Sequence, residues 1–182
     1  MAERLDRATD PRIRGDLHLA RRATANFLRV LHQMRTGDYP TVTILPGVSR
    51  AEVISLLGHQ AREFAELCAR LRGGEGPDAQ LRTVPAEVIR YGATLPPQAL
   101  HNLFQHSAVH LDVEWRDLPE HLWSTPVHTE NRSETTPAQL LGDRAVDLWR
   151  ATVLLDLGES ESFIPEQLRG RRAGELERLL LR

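Results

Sequence analysis

Four stretches of this chain repeat apolar residues at helical spacing, and that repetition limits the fold more than any other feature. The first runs from Asp16 to Arg35 and sets Ala20, Ala23, Phe27, Leu31 and Met34 along one face. The second, from about Arg50 to Arg72, aligns Val53, Ile54, Leu57, Ala61, Phe64, Cys68 and Leu71. The third opens after Leu95-Pro96-Pro97 and uses Leu100, Leu103, Phe104, Ser107, Leu111 and Trp115. The fourth starts at Thr136 and continues to about Leu157, with Gly158 as its stop. Residues three and four apart share one side of a helix, so each stretch has an apolar face that must be covered by another. No comparable strand pattern is present; Thr41 to Ile44 is too short to build a sheet. The prediction is an all-α four-helix bundle.

Local signals support the boundaries. Pro46-Gly47 makes a turn, and Ser49 with Glu52 three residues on reads as a capping box that starts the second helix. Thr136, Pro137 and Gln139 repeat that logic for the fourth, with proline in the first turn. Gly73-Gly74 ends the second helix. Residues 1–15 are charged and interrupted by Pro11, so a flexible arm is expected, followed by one domain over 16–182. Val84 to Gly92 reads as a short helix, and residues 124–136 as a long loop. A short additional helix is expected over Pro165 to Leu181, weakened by Gly170 and Gly174.

Composition removes several chemistries. All 23 basic residues are arginine, which excludes an internal Schiff-base lysine or a P-loop lysine. Cys68 is the single cysteine, so no internal disulfide or cysteine-cluster metal site can form, and its place on the apolar face predicts a buried structural thiol. The net charge of −2, with basic and acidic residues interspersed, gives no reason to expect nucleic acid or a membrane as partner. No apolar run approaches a membrane span, and the first residues lack the apolar core of a signal peptide, so a cytoplasmic protein is expected. His106, His110 and Glu114 have the i, i+4, i+8 spacing of ligands on one helix face. Yet His106 lies well off the apolar face, and a solvated stripe is the expected reading. His101 lies on the same helix, and His18, His32, His121 and His128 show no spacing that points to chemistry.

The stretch Leu45-Pro46-Gly47-Val48-Ser49-Arg50, with the helix that follows, resembles the signature segment of the mycothiol-dependent maleylpyruvate isomerase family, within the DinB-like superfamily. Members usually have Trp where Val48 stands. Thr83 to Leu95 followed by Pro96-Pro97-Gln98-Ala99-Leu100 is similar to the family's approach to helix three. Leu118-Pro119-Glu120-His121-Leu122-Trp123 with Pro126-Val127 resembles another family turn, and Leu155-Asp156-Leu157-Gly158 its ending of helix four. The likeness covers about residues 16–160 and implies a DinB-like four-helix bundle whose second and fourth helices are antiparallel. It also implies a divalent metal, usually zinc, held by a His six residues after the Arg and by a Glu-x-x-x-His pair on the fourth helix. Those positions here are Leu56, Trp149 and Val153, none of which binds zinc.

These readings together predict a metal-independent family member that acts on a small organic molecule in specialised metabolism, by isomerisation, cyclisation or conjugate addition. The pocket is expected among Leu56, Gln60, Trp149 and Val153. Arg150 is expected as anion or oxyanion partner and His59 or Asp156 as acid/base. No metal is expected, and mycothiol or zinc enters only if the family chemistry is kept. A non-catalytic ligand- or protein-binding bundle is the alternative, and a metal- and mycothiol-dependent isomerase or S-transferase a further one. A closed core at Leu56, Trp149 and Val153 favours binding; an open pocket there favours an enzyme. Trp115 and Trp123 fit either the core or a homodimer interface.

Overall fold

The computed structural model describes residues 5–76, 79–129, 134–169 and 176–181. Seven helices dominate them: α1 (Pro11–Gln33), α2 (Arg50–Arg72), α3 (Ala86–Ala93), α4 (Pro97–Asp117), α5 (Pro137–Leu154), α6 (Glu166–Arg169) and α7 (Leu176–Leu180). The four long ones, α1, α2, α4 and α5, are the four periodic stretches and form the bundle. Phe27 and Phe104 meet at its centre, with ring centroids 4.8 Å apart and tilted by 51°.

Specific contacts establish the directions. The start of α1 lies by the end of α4, where Arg7 N donates to the Arg116 carbonyl at 3.0 Å, and its end lies by the start of α4, where His32 and His101 stack at 4.6 Å. These two helices are therefore antiparallel. Gly58 and Arg72 of α2 face Phe104 and Glu114 of α4, so this pair is parallel. Arg50 at the start of α2 donates to the carbonyls of Leu155 and Asp156 just past α5 (2.5 and 3.0 Å). Leu57 and Gln60, two turns further on, bond Arg144 of α5. Helices α2 and α5 thus run antiparallel, as the family resemblance implies.

Both capping boxes form. Ser49 Oγ accepts from Glu52 N at 3.2 Å while Glu52 accepts from Ser49 N at 2.7 Å. Thr136 and Gln139 make the reciprocal pair at 3.3 and 3.2 Å. Replacing Ser49 with alanine removes one of these bonds from the bundle's central helix. The expected loss is about 1 kcal/mol, read as a lower urea midpoint with an unchanged m-value.

The structure departs from the sequence expectations at both ends. Helix α1 begins at Pro11, because proline suits the first helical position and Asp10 caps it by accepting from Arg12 N at 2.7 Å. The described part of the arm is pinned: Asp6 pairs with Arg21 at 2.7 Å, Ala8 is buried, and Glu120 accepts from Asp10 N at 3.2 Å. Helix α5 stops at Leu154, three residues early, since Arg50 draws the next two carbonyls toward α2 and Asp156 turns to φ +52°. Of the expected C-terminal helix, the described residues show the helical pieces α6 and α7. Gly170 and Gly174 lie outside the described residues.

Two short strands, β1 (Gln80–Leu81) and β2 (His128–Thr129), pair in parallel and close one side of the bundle. Val48 is buried in the core. Cys68 is buried as expected, and burial, reinforced by the Glu114 charge, pushes its thiol up to about 12. Trp115 and Trp123 are both buried, which favours their core reading. Among the described residues no helix is long and apolar enough to cross a membrane.

Candidate functional site

The antiparallel contact between α2 and α5 holds the most unusual side chains of the bundle. Arg144 and Asp147 of α5 are 1% and 2% exposed, values that charged groups reach only when they are compensated. Arg144 Nη1 donates to Gln60 Oε1 at 2.9 Å and Nη2 to the Leu57 carbonyl at 3.0 Å, with the guanidinium 6.0 Å above the Phe104 ring. Gln60 also hydrogen-bonds the Asp147 carboxylate, so its amide sits between the two charges. Asp147 Oδ1 has no hydrogen-bond partner among the described residues.

The two charges respond to burial in opposite directions. Desolvation drives the Asp147 carboxyl from the ordinary carboxylate range up to about 7, even though Arg144 pulls it down. Desolvation likewise lowers the Arg144 guanidinium, to about 10, against the pull of Asp147. Burial thus outweighs attraction for both partners, while Arg144 stays a cation at neutral pH. The sign of the linkage follows. An acid whose folded pKa is raised holds its proton in the native state where the unfolded chain has lost it. Its contribution favours folding at low pH and is lost as pH rises from about 4 to about 7. Asp147→Asn removes that titration. The expected result is a flatter stability-against-pH curve across this window; an unchanged slope would mean that Asp147 does not titrate there.

Asp147 and Gln60 line a cavity of about 40 Å³, closed by Phe64, Leu140 and Asp143 together with Leu179 of α7 and the residues around β1. A second, larger cleft lies elsewhere along α5. It measures about 240 Å³ and is walled by Ile44, Val146, Val153 and Leu154 on one side and by Ile164 and Leu168 on the other. Arg150 reaches into it and pairs with Glu177 of α7 at 3.3 Å. Arg169 also lines it, held by the carbonyls of Ile164 and Ser162 at 2.9 Å each.

The residues singled out from the sequence are distributed among these features. Gln60 belongs to the buried polar set. Arg150 and Val153 share the larger cleft. Leu56 and Trp149 are packed into the core, and neither lines either space. His59 points away, into an open cleft between α2 and α3 lined by Arg62, Glu87, Tyr91, Gly92 and Leu103. Successive helical residues diverge by about 100°, so Gln60 and His59 cannot both face α5. Burial, and then the Arg62 charge, lower the His59 pKa and favour its neutral form. Asp156 is exposed; its carbonyl, not its carboxylate, carries its contact to Arg50. The three expected catalytic side chains therefore do not converge. On α4, Glu114 accepts from Arg72 at 2.6 Å and stands 3.7 Å from His110.

Arg144 and Asp147 were missing from the sequence reading, although a signal existed. Arg144 follows Leu140 by four residues and precedes Leu148 by four, so it falls on the apolar side of its own helix.

The fit of a family-type ion can be tested on the donor set. Leu56 and Val153 have no donor atom, and the Trp149 indole offers only an N–H. Among the described residues no three His, Cys, Asp or Glu side chains come together in a way that could hold a metal ion. The residues present do not fit the ion.

Comparison with known proteins follows the same lines. No curated protein sequence matches the chain. Two crystal structures, of a mycothiol-dependent maleylpyruvate isomerase and of a point mutant of it, superpose with a TM-score of 0.80 at 30% identity. The match covers 86% of this chain and 65% of theirs, so the chain spans somewhat less than two thirds of those proteins. The family model of the mycothiol maleylpyruvate isomerase N-terminal domain matches residues 20–150, which hold all four bundle helices apart from the two ends, and this chain belongs to that family.

Proposed function

We propose that this protein is a metal-independent member of its family that takes a small organic anion into the cleft between α5 and the C-terminal helices and rearranges it by isomerisation, cyclisation or conjugate addition. One observation carries the reading: the cleft contains Val153, one of the implied ligand positions, beside Arg150, the expected anion partner. The solved relatives are named for maleylpyruvate, an unsaturated keto-dicarboxylate. A carboxylate or enolate of that kind suits a guanidinium against an apolar wall. The Val146, Val153, Leu154 and Leu168 side chains exclude water there and strengthen the charge interaction. Glu177 holds Arg150 until an anion displaces it. Arg150 then orients the ligand and stabilises negative charge that develops on it.

Metal independence rests on the apolar replacements. A second reading, a non-catalytic binding bundle, is favoured by the packing of Leu56 and Trp149 into the core.

The test has two parts. Elemental analysis of the purified protein, before any chelator, is expected to find no stoichiometric zinc; finding it overturns metal independence. Maleate is then titrated into the protein and followed by NMR. Saturable binding that Arg150→Ala abolishes supports the cleft, and conversion of maleate or of an unsaturated keto acid separates catalyst from binder. Binding unaffected by Arg150→Ala would move the site elsewhere.

A further inference from the structure

The cavity at Asp147 is distinct from the Arg150 cleft in every lining residue, and the family's metal positions do not reach it. We infer that it is a binding site for the protonated amine of a small ligand, received by Asp147.

The argument starts from the unpartnered oxygen. A carboxylate oxygen buried without a donor is costly, and three things can relieve it: a proton, a water, or a ligand donor. Among the described residues no donor is available to Asp147 Oδ1. Arg144, the nearest cation, directs Nη1 and Nη2 at Gln60 and Leu57 instead. The side chain is 2% exposed and lines the cavity, so the donor must come from there.

The surroundings choose among donors. Asp143, one turn earlier on α5, presents a second carboxylate to the same cavity while keeping an interaction of its own. Thr83 and Thr129 supply hydroxyls. The walls are apolar: Phe64, Leu81, Val84, Leu140 and Leu179. An anion would meet two carboxylates. An alcohol satisfies Oδ1 but draws nothing from Asp143. A primary ammonium satisfies both, with three N–H donors on a single heavy atom, and about 40 Å³ admits a head group of that size but no large body. The remainder of the ligand would lie along the apolar rim. Opposing cations are Arg144 across Gln60, Arg150 further along α5, and Arg82 at the mouth. The Arg82 side chain is 68% exposed and lies 3.7 Å from Glu66, so it does not fill the cavity.

Binding of a cation requires ionised Asp147, which gives the site a pH signature. Burial holds this carboxyl up to about 7, whereas an alkylamine keeps its proton well above that. Affinity is therefore expected to rise on the order of tenfold between about pH 6 and about pH 8, with a proton released on binding at the acid end.

The experiment uses n-butylammonium as probe, titrated into the full chain and followed by NMR, with n-butanol and butyrate as comparison ligands. Expected are saturable binding of the ammonium, weaker binding of the alcohol, none of the acid, and the rise with pH. Asp147→Asn keeps the shape of the side chain and removes its charge; it should bind the ammonium at least tenfold more weakly and lose the pH dependence. Asp143→Asn should weaken binding by less. Equal binding of butanol and butylammonium overturns the inference, as does wild-type affinity in a folded Asp147→Asn variant. Absence of saturable binding leaves the cavity to water and equally overturns it. These outcomes are independent of the zinc and maleate results, so either reading can fail alone.

Discussion

Arg144→Ala is expected to lower the stability of the protein by about 3–5 kcal/mol, the largest effect of any single surface-distant charge in the bundle. Three losses combine. The substitution leaves Gln60 Oε1 without its donor, removes the bond to the Leu57 carbonyl, and empties the space above Phe104. It also strips Asp147 of its nearest cation, which drives that carboxyl further up and holds it protonated at neutral pH. At 2–4 °C per kcal/mol for a chain of this size, the melting temperature should fall by about 6–20 °C. Two further variants apportion the loss. Arg144→Met refills the volume without the hydrogen bonds and should cost less than alanine. Adding Asp147→Asn to Arg144→Ala removes the buried acid that must otherwise be held protonated and should restore part of the loss; the double-mutant cycle then reads the coupling directly. A loss below about 1 kcal/mol in the alanine variant would show that Arg144 does not tie α2 to α5.

That buried set gives these helices a polar link made of protein groups alone. In the family arrangement implied by the sequence, one metal would link α2 to α5 at the level of Leu56, Trp149 and Val153. Here those side chains leave no ligand there, and the polar link between the helices lies about one turn further along, through Gln60, Arg144 and the Leu57 carbonyl. The link is charge-assisted and closed to water on the Arg144 side, while Asp147 keeps an acceptor directed at a cavity.

The fold was legible because its signals are local. Helix α2 shows its start in Ser49 and Glu52 and its buried face in the spacing from Val53 to Leu71; helix α5 shows its start in Thr136, Pro137 and Gln139. The boundaries that differed depend on partners distant in sequence. The end of α5 is set by Arg50, 105 residues before the Leu155 carbonyl it binds, and no window around Leu155 contains that information. Pro11 is ambiguous by itself, since proline interrupts a helix from within but starts one at its first turn; Asp10 as cap and Glu120 as anchor decide between the two. The site was less legible than the fold for a related reason. Arg150 and Val153 share one helix face and line one cleft. His59 is next to Gln60 in sequence, and one residue along a helix is enough to turn it to another side. Arg144 shows its burial by its spacing from Leu140 and Leu148, whereas the partners that bury Asp147, Gln60 of α2 among them, are distant in sequence.

Gly92→Ala is expected to destabilise the protein by about 2–3 kcal/mol, although alanine is the better helix former at an exposed position. Helix α3 lies so close to α2 that a Cβ at this glycine would stand 2.1 Å from Ser55 Oγ, 3.1 Å from Ser55 Cβ and 3.4 Å from His59 Nε2. Full burial leaves the Ser55 hydroxyl little room to swing aside, and its Oγ has no hydrogen-bond partner among the described residues. The helices must separate, and the cleft that holds His59 must widen. Ser55→Ala alone should be neutral or slightly stabilising, since it deletes a polar atom that nothing satisfies. Combined with Gly92→Ala it removes the worst overlap and leaves the 3.1 Å contact, so most but not all of the loss should return. Urea unfolding of the two single variants and the double variant measures this. If Gly92→Ala is as stable as the parent, or if Ser55→Ala rescues nothing, then α3 is not held against α2 by that contact, and the small residue at position 92 has another cause.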